Sequence, residues 1–227
     1  MKKFDNELAA MEQRLVAMAE QTRSMLTLAA SAVKDRQLDV SQQVAALERE
    51  LNKAQCEIDQ DAVRMMTVYG PVAGNLRYLL VCTHVTAQME RIGDQVMNVC
   101  ESLRMMTSDP ASHPTLASLR RMADMVAQMV DDALESYFTR DPQKAEITRR
   151  HDDMVDALND QIMKEVLTDE VLKNIIAGVE NLTDAVAYVL LARQLERIAD
   201  QATNICKEVI YMVRGDDVRH RRSQEEQ

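Results

Sequence analysis

The chain has 227 residues, 46% hydrophobic and 28% charged, with a formal charge of −10. It holds 5 Gly, 4 Pro, 2 Phe and no Trp against 16 Met. That balance can bury a core, which excludes a disordered chain, and it starves β-sandwiches and barrels of turn residues, which leaves long helices. The acid excess removes the basic face that nucleic-acid binding needs, so no nucleic-acid partner is expected.

Residues Met1-Lys2-Lys3-Phe4-Asp5-Asn6-Glu7 carry no apolar h-region, so no secretory signal is expected. The apolar runs Tyr78–Cys82 and Ala185–Ala192 fall far short of the roughly 20 residues that a membrane span needs. Both features predict a cytoplasmic location and no membrane insertion. Cys56, Cys82, Cys100 and Cys206 form no Cys-x-x-Cys pair and read as small buried hydrophobes in a reducing compartment.

Helical periodicity predicts helices over 3–35, 38–67, 72–107, 115–139, 142–168 and 169–213, with Gly178 as a candidate break in the last. The breakers that separate them are Gly70-Pro71, Asp109-Pro110 with His113-Pro114, and Asp141-Pro142, the last an N-cap followed by proline at the first helical position. One stripe runs Val85, Met89, Ile92, Val96, Val99, Leu103; another runs Leu191, Leu195, Ile198, Ala202, Ile205, Val209. The end from Arg214 is too polar to pack and reads as disordered.

The chain is an internal repeat. Residues 88–100 match 194–206 at Gln88, Glu90, Arg91, Ile92, Asp94, Gln95, Asn98 and Cys100. An offset of 104 pairs Leu15 with Leu119, Met18 with Met122 and Ile58 with Ile162. The predicted fold is all-α: two tandem three-helix bundles, over residues 1–108 and 115–213, with a tail at 214–227.

The matched polar positions carry the chemistry. Taking Val85 as zero at about 100° per residue, Glu90, Asp94 and Asn98 fall near 140°, 180° and 220°, opposite the stripe. Glu196, Asp200 and Asn204 take the same angles from Leu191. The second helix of each half adds Glu48 and Asn52, or Asp152 and Asp156. Two readings compete. One is a solvated acidic face, in which i, i+4 carboxylates merely repel. The other is an oxygen-donor site for a hard cation such as Mg²⁺, Mn²⁺, Ca²⁺ or Fe³⁺, with four donors per half.

The copies Gln88-Met89-Glu90-Arg91-Ile92-Gly93-Asp94 and Gln194-Leu195-Glu196-Arg197-Ile198-Ala199-Asp200 resemble the repeated signature of the PhoU family, the phosphate-specific transport system accessory proteins. Gly70-Pro71-Val72-Ala73-Gly74-Asn75-Leu76-Arg77 resembles the family's loop ahead of its third helix, with Asn75 where the family usually has Asp. The resemblance implies a cytoplasmic homodimer that represses the phosphate regulon. Its implied partners are the ATPase subunit of the Pst phosphate transporter and the PhoR sensor histidine kinase. It also implies metal ions, often clustered iron or zinc, on the acid-x-x-x-Asp motifs. Those map onto Glu90/Asp94, Glu196/Asp200 and Asp152/Asp156, whereas Glu48/Asn52 departs by its neutral amide.

A metal-dependent hydrolase or di-metal oxidoreductase is the alternative of another class. Its core-facing Glu-x-x-His pairs are missing: Val81, Pro110, Thr148 and Asp217 stand three residues before His84, His113, His151 and His220. A plain dimerising scaffold without metal is a third reading. His84 reads as an ordinary helix-surface or core histidine. Arg91 and Arg197 read as local salt-bridge partners of the acids, worth under about 1 kcal/mol.

Overall fold

The computed structural model describes residues 2–35, 40–106, 115–167, 180–216 and 218. Among the described residues the regular structure is helical throughout: α1 (Lys2–Asp35), α2 (Ser41–Tyr69), α3 (Ala73–Met105), α4 (Thr115–Thr139), α5 (Pro142–Arg149), α6 (Asp152–Leu167) and α7 (Glu180–Arg214). The candidate break at Gly178, the loop at 110–114 and most of the tail lie outside the described residues.

Helices α1, α2 and α3 pack on one another, and α4 with α5 and α6 packs around α7. The two bundles join through α3 against α7, the most extensive helix pair, and through α1 against α4. The predicted stripes lie in this core: Met89, Ile92, Val96 and Val99 on α3, and Leu191, Ile198, Ala202, Ile205 and Val209 on α7, are buried. Burying each of the larger side chains contributes about 1.5–3 kcal/mol. One continuous apolar core therefore spans both repeats.

The helix ends follow local chemistry. Gly70 closes α2 in the left-handed region at φ 52°, its N–H donating to the Met66 carbonyl at 3.2 Å. Asp141 caps α5, its Oδ1 accepting from the Gln143 and Lys144 amides at 2.8 and 3.0 Å. The end of α4 is less ordinary. Arg140 N–H donates to the Tyr137 carbonyl and Asp141 N–H to the Ser136 carbonyl, the Schellman pattern, yet the left-handed position at φ 53° holds arginine instead of glycine. That conformation costs a non-glycine residue about 1–2 kcal/mol.

Three expectations need correction. The predicted helix over 142–168 is broken at Arg150–His151, where Arg150 and His151 amides bond back three residues, to Ile147 and Thr148. No glycine or proline marks the break; the Asp152-Asp153 pair that opens α6 is the helix-start signal. The tail is not wholly unpacked either, since Val218 is half-buried against the core. Of the cysteines, Cys82, Cys100 and Cys206 are buried as expected, but Cys56 is exposed. Burial pushes the Cys82 thiol up to about 11 and that of Cys206 to about 12, which leaves both inert as nucleophiles.

Candidate functional site

In each bundle a track of carboxylates runs along two adjacent helices. Glu48 and Asn52 stand on α2 beside Glu90 and Asp94 on α3; Asp152 and Asp156 stand on α6 beside Glu196 and Asp200 on α7. Asp94, Asp156 and Asp200 are exposed, while Glu48, Asn52, Glu90 and Glu196 are half-buried. Burial, then the neighbouring charge of Asp94, raises the Glu90 carboxyl; Arg91 opposes this and Glu48 adds to it. Burial, then Asp200 and Asp156, raises Glu196, with Arg197 and Arg193 opposing. The acid that faces across the helix pair is thus Glu48 in the first half and Asp156 in the second. Arg91 and Arg197 act only through their field and close no salt bridge with the acids they follow.

The remaining two predicted donors behave differently. Asn52 Nδ2 donates to Glu48 Oε1, and its own carbonyl oxygen is buried without a partner. Asp152, aligned with Glu48 by the repeat, is only 4% exposed, and the break at Arg150–His151 places it in the first turn of α6 instead of mid-helix. A carboxylate there lies at the positive end of the helix dipole. Among the described residues no three His, Cys, Asp or Glu side chains are gathered into a ready metal cage. The donor chemistry nonetheless fits a hard cation: every donor is a carboxylate or amide oxygen, and burial together with the neighbouring acids raises the proton affinity of Glu90 and of Glu196.

Sequence reasoning passed over other polar groups. His84 Nδ1 on α3 stands 3.1 Å from Oε1 of Glu208, which is 6% exposed on α7, so the two groups face each other across the seam between the bundles without closing a hydrogen bond. Arg23 reaches Asp131 at 3.0 Å, Arg140 reaches Glu12 at 3.6 Å, and Lys34 pairs with Asp124, all between α1 and the second bundle. Their separation in sequence hides them from any local pattern.

The comparisons with known proteins follow the same two-fold division. The PhoU domain model matches residues 15–103 and again 119–209, one span per carboxylate track. The chain belongs to the PhoU family. It is 30% identical over 219 residues to the phosphate-specific transport system accessory protein PhoU homolog of Xylella fastidiosa strain 9a5c, covering 96% of this chain and 89% of that one. It is 27% identical over 217 residues to the phosphate-specific transport system accessory protein PhoU of Escherichia coli K12, covering 96% and 88%. The crystal structure of PhoU from Pseudomonas aeruginosa superposes with a TM-score of 0.85 at 26% identity, covering 94% of this chain and all of that one. The all-α tandem architecture is therefore that of a PhoU-family protein.

The raised glutamates make a stability prediction. A carboxyl whose folded pKa is raised stabilises the fold while protonated, and that contribution is lost as pH rises through the folded value. Glu90→Gln and Glu196→Gln should therefore each raise the melting temperature at pH 7 by about 1–2 °C and flatten its decline from acid toward neutral pH. Thermal melts compared with the parent across that range check this; a lowered melting temperature at pH 7 in both variants would contradict it.

Proposed function

We propose that this chain is a cytoplasmic accessory protein of a phosphate-specific transport system, which holds down phosphate uptake and the phosphate regulon through protein–protein contacts and not by turnover. The observation that carries this is the PhoU match over both repeats, each containing one Glu-Arg-Ile-x-Asp signature. Its partners in this reading are the ATPase subunit of the Pst transporter and the PhoR sensor kinase, with a second copy of the chain completing a homodimer. Val72, Leu76 and Leu80 lead onto one face of α3 at four-residue steps and stay 78%, 42% and 38% exposed, apolar surface of the kind that protein contacts use.

The carboxylate tracks belong to the same proposal as metal-binding surfaces. Glu48, Glu90 and Asp94 would hold a hard cation in the first half, and Asp156, Glu196 and Asp200 in the second. Asn52 offers a neutral oxygen at the edge of the first, and Asp152, buried in the first turn of α6, contributes no donor to the second in this reading. The ion would be iron, manganese, magnesium or zinc. It would neutralise the mutual repulsion of the acids and change the surface charge that a partner meets.

Deletion of the protein from its host tests the regulatory reading. Phosphate-starvation genes should then be expressed in phosphate-rich medium. Normal repression in a clean deletion with no second copy would overturn the proposal.

A further inference from the structure

A cavity of about 350 Å³ lies where the start of α3 meets the second half of the chain. Its wall comes from four places distant in sequence. Leu8 is supplied by α1, Asn75, Arg77 and Tyr78 by the first turns of α3, Arg140 by the α4–α5 turn, and Met212 by the end of α7. Two guanidinium groups therefore share one concavity in a chain whose formal charge is −10.

Arg77 is the informative member. Its Nε is shut away from solvent with no hydrogen-bond partner, and it closes no ion pair with a described carboxylate. The Arg77 side chain as a whole is half-buried, but its enclosed Nε–H has no acceptor, and an unmet N–H is costly, so an acceptor that arrives from outside would satisfy it. Arg140 points the same way. Its guanidinium carbon sits 4.9 Å from the Tyr78 ring centre, which orients the group. Its one ion pair among the described residues, to Glu12, is long at 3.6 Å, so it keeps donors to offer. Gly74 and Asn75 also line the cavity. Their N–H groups lie in the first turn of α3, where no preceding carbonyl can accept them, and Val72 caps them with no side chain.

We propose that this cavity is an oxyanion site that takes a phosphate group. Arg77 is the principal donor, Arg140 the second, and the first-turn amides of α3 complete the cradle. Two guanidinium forks and a helix N-terminus supply more positive charge than a carboxylate balances, whereas a phosphate dianion matches it with three acceptor oxygens. The cavity holds more than a bare phosphate, so the group arrives either as the free ion with water or on a small molecule. The site rests on the cavity and its arginines and stands apart from the regulatory reading above.

The test uses the full chain at fixed ionic strength, titrated with inorganic phosphate and, separately, with ATP. The Gly74 and Asn75 amide resonances report where binding occurs, and calorimetry reports how tightly. A saturable shift at both amides is expected. Saturation by inorganic phosphate assigns the free ion; saturation by ATP with phosphate silent assigns a phosphoryl group on a larger molecule. Arg77→Gln and Arg140→Gln should each weaken binding by about tenfold or more with an unchanged circular dichroism spectrum. If a variant fails to fold, the amide titration of the parent decides alone. No saturable shift from either probe up to about 10 mM, or affinity unchanged in both folded variants, would overturn the proposal.

Discussion

Gly93→Leu is expected to destabilise the protein by about 3 kcal/mol or more, whereas Gly93→Ala should stay within about 1 kcal/mol of the parent. Gly93 lies buried in α3, against Leu51 of α2 and Met25 of α1. A Cβ built there would stand 2.7 Å from Leu51 Cδ2 and 3.5 Å from Met25 Cε. Both contacts are side-chain tips, and both residues are fully buried. For alanine, the leucine methyl must turn aside by about 0.7 Å or more to bring the 2.7 Å approach to ordinary contact, and the gain in helix propensity of about 1 kcal/mol offsets part of that strain. For leucine there is no room, because Leu51 and Met25 already fill it at interior packing density. The bulk would force α2 away from α3, which opens Glu90 to water and carries Glu48 away from it, so the Glu90 carboxyl should titrate closer to its ordinary range. Urea denaturation measures the stabilities and carboxyl NMR titration follows Glu90. A Gly93→Leu variant as stable as the alanine variant would show that α2 and α3 are not in the contact described. The second repeat carries buried Ala199 at the matching position, so there the helices already accommodate a methyl group.

Much of this architecture was legible because a buried helix writes its period into the sequence. Met89, Ile92, Val96 and Val99 are buried because their spacing keeps them on one side of α3, and Thr115–Thr139 matches its predicted bounds because polar breakers flank it. The carboxylate tracks were legible for the converse reason: Glu90, Asp94, Glu196 and Asp200 occupy the opposite angle in both copies. The break before Asp152 escaped, since Thr148-Arg149-Arg150-His151 contains neither glycine nor proline and a periodic stripe continues through it. The packing of α3 on α7 escaped too, because an apolar stripe does not name its partner. The arginine cavity was the least legible feature, for Leu8, Arg77, Arg140 and Met212 meet only once both bundles have folded.

Asp200→Asn should strip most hard-cation binding from the protein, and Asp94→Asn should strip less. A simple tally gives the second half four carboxylates and the first half three plus an amide. The structure evens that tally, and the asymmetry then rests on how the donors are held. Asp152 is withdrawn into the start of α6 and is not among the groups that raise Glu196, so Asp152→Asn should leave metal affinity nearly unchanged. What remains is Asp156, Glu196 and Asp200 against Glu48, Glu90 and Asp94. The two sets differ at the acid that faces across the helix pair, Glu48 in the first and Asp156 in the second. Glu48 is engaged by the Asn52 amide, which must be released before Glu48 can ligate. Asp156 has no such tie. Affinity for a hard cation rises with the charge and readiness of its oxygen donors, so the second half should bind more tightly. Asn52→Asp should then strengthen the first site by about tenfold, since it removes the competing donor and adds a carboxylate where the second half has Asp156. The fold should survive each exposed substitution, because Asp94 and Asp200 lie outside the apolar stripe. Calorimetric titration with Mn²⁺ across these variants decides the question. Equal losses from Asp94→Asn and Asp200→Asn would refute the asymmetry, and a parent protein that binds no Mn²⁺ or iron would reduce both tracks to solvated acidic faces.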